Sequence, residues 1–275
     1  MTGAVFAFDQ GACVNRTLGF PIVAAALLTA TGAGAAVSPK FKSNRIEVRY
    51  VEPESANQQP VFKLLKERRA LEKLRDLLNA IRLPRTLTLQ TQSCKGVVNA
   101  WYENATVTLC YELVDDIWSK VPERTTPAGV APVDTMVGPF VHVFLHEIGH
   151  ALFDLLNIPV LGREEDAADQ FATYLMLQFD NDEARRLIGG TAYQYKEDVS
   201  SPTVSMPLKQ FSDEHGAAAQ RFYNLLCMAY GSDQKLFGDL VTSGYLRVNR
   251  TLTEHSTRDE RRKLIGRTLR GLRAL

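Results

Sequence analysis

His146-Glu147-Ile148-Gly149-His150 reads as just over one turn of helix. Two imidazoles four positions apart share a face, and a carboxylate stands beside them. Neutral imidazole nitrogens suit a zinc ion, and an open catalytic site takes three protein ligands and leaves the fourth position for water. Glu147, about 100° round the helix from His146, can accept a proton from that water as it attacks a carbonyl. His146 and His150 are therefore the expected metal ligands, and Glu147 the expected base.

Upstream, Gly138-Pro139 fits a helix start, and Val141, Leu145, Ile148, Leu152 and Leu155 recur at helical spacing. A helix this apolar is buried, and buried histidines need partners, which a metal supplies. His142 continues the stripe about 6 Å further back along the axis and reads as a packed histidine or a brace for a ligand. Downstream, Ala151 to Leu156 supplies neither the glycine nor the third histidine of the longer metzincin motif. The third ligand must come from elsewhere.

A loop from Asn157 to Gly162 leads to a second helical pattern, Arg163-Glu164-Glu165-Asp166-Ala167-Ala168-Asp169-Gln170-Phe171-Ala172. Acidic residues stabilise a helix N-terminus through the macrodipole, so only their placement separates structural carboxylates from functional ones. Glu165, Ala168, Asp169, Ala172, Leu175 or Met176, and Phe179 share one face, whereas Asp166, Gln170 and Thr173 are expected to face solvent. An inward carboxylate pair is costly to bury unless it meets a cation. Glu165 is accordingly expected as third ligand, and Asp169 as the carboxylate holding a ligand histidine by its other ring nitrogen. Glu164 is the alternative ligand, with dipole stabilisation as its ordinary role.

H-E-x-x-H followed by E-x-x-x-D resembles the gluzincin metallopeptidases, the broad group that includes thermolysin. The fuller runs His146 to Asp154 and Gly162 to Ala172 are more closely similar to a little-characterised bacterial family named as metallopeptidases from its motif. That likeness extends to Asn99-Ala100-Trp101-Tyr102, Leu109 to Leu113, Asp213-Glu214-His215 and Gln220 to Cys227, and so covers most of the chain after about residue 60. It implies peptidase chemistry but adds little about substrate; the expected partner is a polypeptide substrate.

The chain has 275 residues, 45% of them hydrophobic and 23% charged, with a net charge of +1. That is ample for one large core and argues against general nucleic-acid binding. Leu18 to Leu28 is a short apolar run preceded by Arg16 and followed by small residues, with Ala33-Gly34-Ala35 or Gly34-Ala35-Ala36 as a cleavage site, which reads as a secretory signal. Residues 1–36 are thus the expected signal, and 37–275 a single domain. Asp9 and apolar residues stand where a signal should be basic, consistent with a true start near Val14. The run is short for a transmembrane helix; stable membrane insertion is expected only if it stays uncleaved as an anchor. The expected location is periplasmic or secreted.

Export lets cysteines stay oxidised, and Cys94 and Cys110 flank a hairpin, Val97 to Tyr102 and Ala105 to Tyr111, that a disulfide would close. Cys227, in the apolar pattern with Phe222, Leu225 and Leu226, reads as a buried free thiol. Short-spaced partners for a zinc knuckle are lacking.

Arg45 to Val51 and Thr86 to Gln92 alternate as strands with an amphipathic helix from Val61 to Ile81 between them. A helix near Tyr111 to Lys120 follows the hairpin, and Val121 to Val133 is a loop. The chain after Phe179 is mostly helical apart from Val199 to Pro207. This is an α+β, zincin-like plan: a small sheet whose edge strand, Ala105 to Tyr111, lies beside the active-site helix. A donor opposite the metal must stabilise the oxyanion of peptide hydrolysis, and His215 is the first candidate, with Arg221 and Tyr223 behind it. The basic run Arg258 to Arg273 reads as a solvated helix. The function expected is zinc-dependent peptide hydrolysis in the cell envelope. The alternatives are an intracellular regulatory protease, disfavoured by the signal-like start, and a non-catalytic zinc-binding protein, which has no need of Glu147.

Overall fold

The computed structural model describes residues 45–195 and 215–246. The expected signal and cleavage site, the stretch 199–207 and the basic run 258–273 lie outside them.

Strands β1 (Ile46–Tyr50) and β2 (Leu87–Gln92) pair in parallel, and parallel neighbours need a crossover of a dozen residues or more. Here it carries helices α1 (Gln59–Glu67) and α2 (Ala70–Leu77). The amphipathic run expected as one helix is thus two, broken at Arg69, whose φ of 51° is left-handed. Tyr50 explains the restart: its hydroxyl accepts the Leu71 N–H at 3.0 Å and donates to Glu72 at 2.7 Å. The first turn of α2 is thereby pinned to β1 by a group that satisfies one of its orphan donors.

A hairpin of β3 (Ala100–Glu103) and β4 (Thr106–Cys110) turns through Asn104 and Ala105, both at positive φ, as a tight hairpin turn requires. The sheet order is β1-β2-β4-β3, with β2 and β4 parallel. The strand expected at the sheet edge, Ala105 to Tyr111, is therefore interior, and among the described residues β3 and β1 are the edges. The burial patterns give the reason. Thr-Val-Thr-Leu-Cys is buried at four successive positions, whereas Ala-Trp-Tyr-Glu is buried only at Ala100, and a strand covered on both faces reads as a continuous rather than alternating run.

Cys94 and Cys110 form the expected disulfide. Glu112, in the first turn of α3 (Tyr111–Ser119), accepts the Cys94 N–H at 2.9 Å and the Gly96 N–H at 3.1 Å, so the loop before β3 is held from two sides. These hydrogen bonds outweigh burial, which alone would raise the Glu112 pKa, and bring it below the ordinary carboxylate value. Cys227 is not the expected free thiol; it is disulfide-bonded.

The helix bearing the His-Glu-x-x-His run, α4, spans Pro132–Leu155 and starts a turn and a half before Gly138-Pro139. Gly138 instead lies where α4 crosses α6 (Asn181–Gln194): a Cβ there would stand 2.6 Å from the Leu187 carbonyl and the Thr191 amide, and one on Gly190 only 1.8 Å from the Asp134 carbonyl. The glycines allow backbone-to-backbone contact. On another face, Gly149 admits α5 (Glu164–Met176), since a Cβ there would meet Ala168 Cα at 3.2 Å. Thr173, expected in solvent, is 2% exposed. Helices α7 (Ala218–Ser232) and α8 (Asp239–Thr242) complete the described chain. Tyr102 of β3 donates to Asp154 near the end of α4, which Arg85 also meets at 2.7 Å, so the edge strand is tied alongside α4. The described residues form a mixed α+β fold with one small sheet. Among the described residues no helix is long and apolar enough to cross a membrane.

Candidate metal centre

Two helices, α4 and α5, bring the candidate ligands together. On α4, His146 and His150 point their Nε2 atoms at each other, 3.2 Å apart. From the first turn of α5, Glu165 brings Oε2 to 3.0 Å from His146 Nε2 and Oε1 to 3.4 Å from His150 Nε2. His146, His150 and Glu165 form one of two groups of potential ligand atoms among the described residues. The other, Cys94, Cys110 and Glu112, has both sulfurs in the disulfide and offers no thiolate.

The far side of each imidazole is also held. His146 Nδ1 meets Asp169 Oδ1 at 2.8 Å, and His150 Nδ1 meets Glu164 Oε1 at 2.8 Å. A carboxylate can only accept, so each Nδ1 is a donor; in a neutral imidazole the Nε2 is then a lone pair. Two such lone pairs and a carboxylate facing one another at 3.0–3.4 Å repel unless a cation or proton lies among them. The same separations match the edges of a tetrahedron of nitrogen and oxygen donors about 2 Å from a zinc ion, roughly 3.3 Å. The residues present therefore fit such an ion. Without one, a proton takes its place: burial pushes the His146 pKa down, but Asp169 and Glu165 raise it to about 9. Burial raises Glu165 and Asp169, and hydrogen bonds from His146 in both, with His150 and His215 for the first and Arg221 for the second, hold them far below the ordinary range. Metal binding at such a cluster releases protons.

Glu147 is 9% exposed and feels the charges of His146, His150, Glu165 and His215. Burial raises its pKa against the pull of His146 and His150. Among the described residues it accepts no hydrogen bond, so its carboxylate is uncommitted. His215, just before α7, reaches Glu165 Oε2 at 2.9 Å and stacks on His146 with ring centroids 6.0 Å apart. Its side chain keeps 44% exposure, on the open side of the cluster. His142 is packed: burial lowers its pKa to about 4, so its 3.9 Å approach to Asp169 is not an ion pair.

All six residues expected at the site, His146, Glu147, His150, Glu165, Asp169 and His215, come together. Of the reserve donors, Arg221 is spent elsewhere, on Asp169 through Nε at 2.7 Å and Nη2 at 2.8 Å, and Tyr223 is exposed and packs on Phe222. Two contacts were not foreseen: Glu164 on His150, and Arg221 on Asp169. The first had a signal, because a ligand imidazole needs a partner on its other nitrogen and Glu164 is one of few carboxylates in reach. The second joins residues 52 apart and carries no local pattern.

No curated protein and no solved structure matches this chain. Residues 50–260 match the DUF4344 family, described as "Putative metallopeptidase". That span is over three quarters of the 275 residues and includes every residue of the cluster; the chain belongs to this family.

Proposed function

We propose that this chain is a zinc-dependent peptidase in which His146, His150 and Glu165 hold the metal and Glu147 is the base. The observation that carries the reading is the convergence of the His146 and His150 Nε2 atoms and the Glu165 carboxylate, beside the buried carboxylate of Glu147, which accepts no hydrogen bond among the described residues. Family membership supports a peptide as substrate. The nitrogen-rich donor set, with no open row of carboxylates and carbonyls, favours zinc over magnesium or calcium.

A bound zinc would supply Lewis acidity toward a water and the peptide carbonyl. Glu147 accepts the proton of the attacking water and passes it to the departing amine; its raised pKa suits a group that must both take and return a proton. His215 donates to the oxygen on which charge develops, and its exposed side leaves room for substrate to arrive. Asp169 and Glu164 orient the two imidazoles. Strand β3, tied to α4 through Tyr102 and Asp154 and an edge of the sheet among the described residues, is the strand on which an extended peptide would pair. The Cys94–Cys110 disulfide supports an exported protein, with residues 1–36 as its signal and 37–275 as the mature domain.

The test is Glu147→Gln, assayed on an unbiased peptide library alongside the wild type. Gln keeps the shape but accepts no proton, so zinc should be retained and turnover should fall by at least 10²–10⁴-fold. A wild type that binds zinc but cleaves no peptide in the library would make this a binding protein instead.

A further inference from the structure

Asp169 is itself held in a way that points to a function for Arg221. Its carboxylate is 14% exposed and meets three donors: His146 Nδ1 at 2.8 Å, Arg221 Nε at 2.7 Å and Arg221 Nη2 at 2.8 Å. The guanidinium engages both oxygens side-on, Nε on Oδ2 and Nη2 on Oδ1. This fixes the plane of the carboxylate as well as its position, because the fork is rigid and planar. Oδ1, the oxygen that receives His146, is shared between imidazole and guanidinium. A rotation of Asp169 that released His146 would therefore also break its bonds to Arg221. Arg221 is in turn backed by the ring of Tyr195, 5.9 Å from its Cζ, and rises from α7, whereas Asp169 is on α5 and His146 on α4.

We infer that Arg221 is a positioning residue for the metal: through Asp169 it sets the angle at which His146 presents Nε2. This rests on the metal reading above. It also gives α7 a definite part, since the segment that brings Arg221 to Asp169 brings His215 to Glu165 six residues earlier. One segment thus grips both inward carboxylates of α5.

Zinc affinity is measured by competition with a chromogenic chelator, and ligand geometry by the visible absorption of the cobalt-substituted protein, on the full chain. Arg221→Gln should weaken zinc by about 10–100-fold, the cost of losing an outer-shell partner, and shift the cobalt bands. Arg221→Lys restores the charge without the fork and should recover only part of the affinity. In an Asp169→Asn background the Arg221→Gln change should add little, since Arg221 then has no carboxylate to act through; simple additivity would overturn the inference, as would wild-type affinity and an unchanged cobalt spectrum in a folded Arg221→Gln protein. Should Arg221→Gln not fold, the Lys variant alone and in the Asn background carries the same comparison. A wild type that binds neither zinc nor cobalt overturns the metal reading itself, a result distinct from tight wild-type binding that Arg221 does not influence.

Discussion

Glu164 and Glu165, adjacent at the start of α5, take opposite nitrogens of one ring: Glu164 Oε1 lies 2.8 Å from His150 Nδ1, and Glu165 Oε1 lies 3.4 Å from His150 Nε2. Neighbouring helical side chains diverge by about 100°, and His150 fits between them. Their exposures differ, 55% against 17%, and so should their weight. Glu165→Ala and His150→Ala should each nearly empty the site in metal analysis of the purified protein. Glu164→Ala, which removes only an exposed brace, should weaken zinc by about tenfold, the low end for such partners. Equal losses from the Glu164 and Glu165 variants would reject the assignment of Glu165 as the ligand.

His215 shares Glu165 with the other two imidazoles yet comes from a different segment and stays half exposed. As a donor to the developing oxyanion, it should be replaceable by Ala with zinc retained and kcat lowered by about 10²–10³-fold. Loss of zinc from His215→Ala, measured beside the kinetics, would make it a ligand.

The centre was legible in sequence because its information is local. His146, Glu147 and His150 are fixed by one helical turn, and Glu165 and Asp169 by the next helix's inward face. The sheet was less so: β3 and β4 were recognisable as a hairpin, but which of them is the edge depends on pairing with β2, which only the burial of Val107, Leu109 and Cys110 on both sides betrays. Gly138-Pro139 misled for a related reason. Both residues punctuate helices locally, but here the glycine serves a helix 50 residues away, a demand no window of sequence contains.

That crossing yields a paired test. A Cβ on Gly190 would stand 1.8 Å from the Asp134 carbonyl, whereas one on Gly189 would make only an ordinary 3.5 Å contact with Val130 Cγ2. Gly189→Ala should therefore gain up to about 1 kcal/mol from helix propensity and the stiffer unfolded chain. Gly190→Ala must push α6 off α4 and should lose about 1–3 kcal/mol or more. Thermal melts of the two variants should move in opposite directions; a Gly190→Ala protein as stable as wild type would mean that the helices do not cross at this distance.

The disulfide separates stability from chemistry. Cys94 and Cys110 are 16 residues apart in sequence, and closing such a loop contributes about 3 kcal/mol in the chain-entropy model. Neither sulfur belongs to the His146, His150 and Glu165 cluster. Cys94→Ser with Cys110→Ser should consequently lower the melting temperature and leave zinc content unchanged. In that variant Glu112 still holds the loop, through the amides of Cys94 and Gly96. Its pKa is lower folded than unfolded, so its contribution is present above the unfolded carboxylate value and is lost as pH falls through the folded one. The Ser variant should thus lose stability on acidification, and Glu112→Gln should flatten that part of the profile. Zinc lost along with the disulfide would contradict the separation of the two sites, and finding both thiols reduced in protein taken from the cell envelope would remove the support that the bridge gives to export.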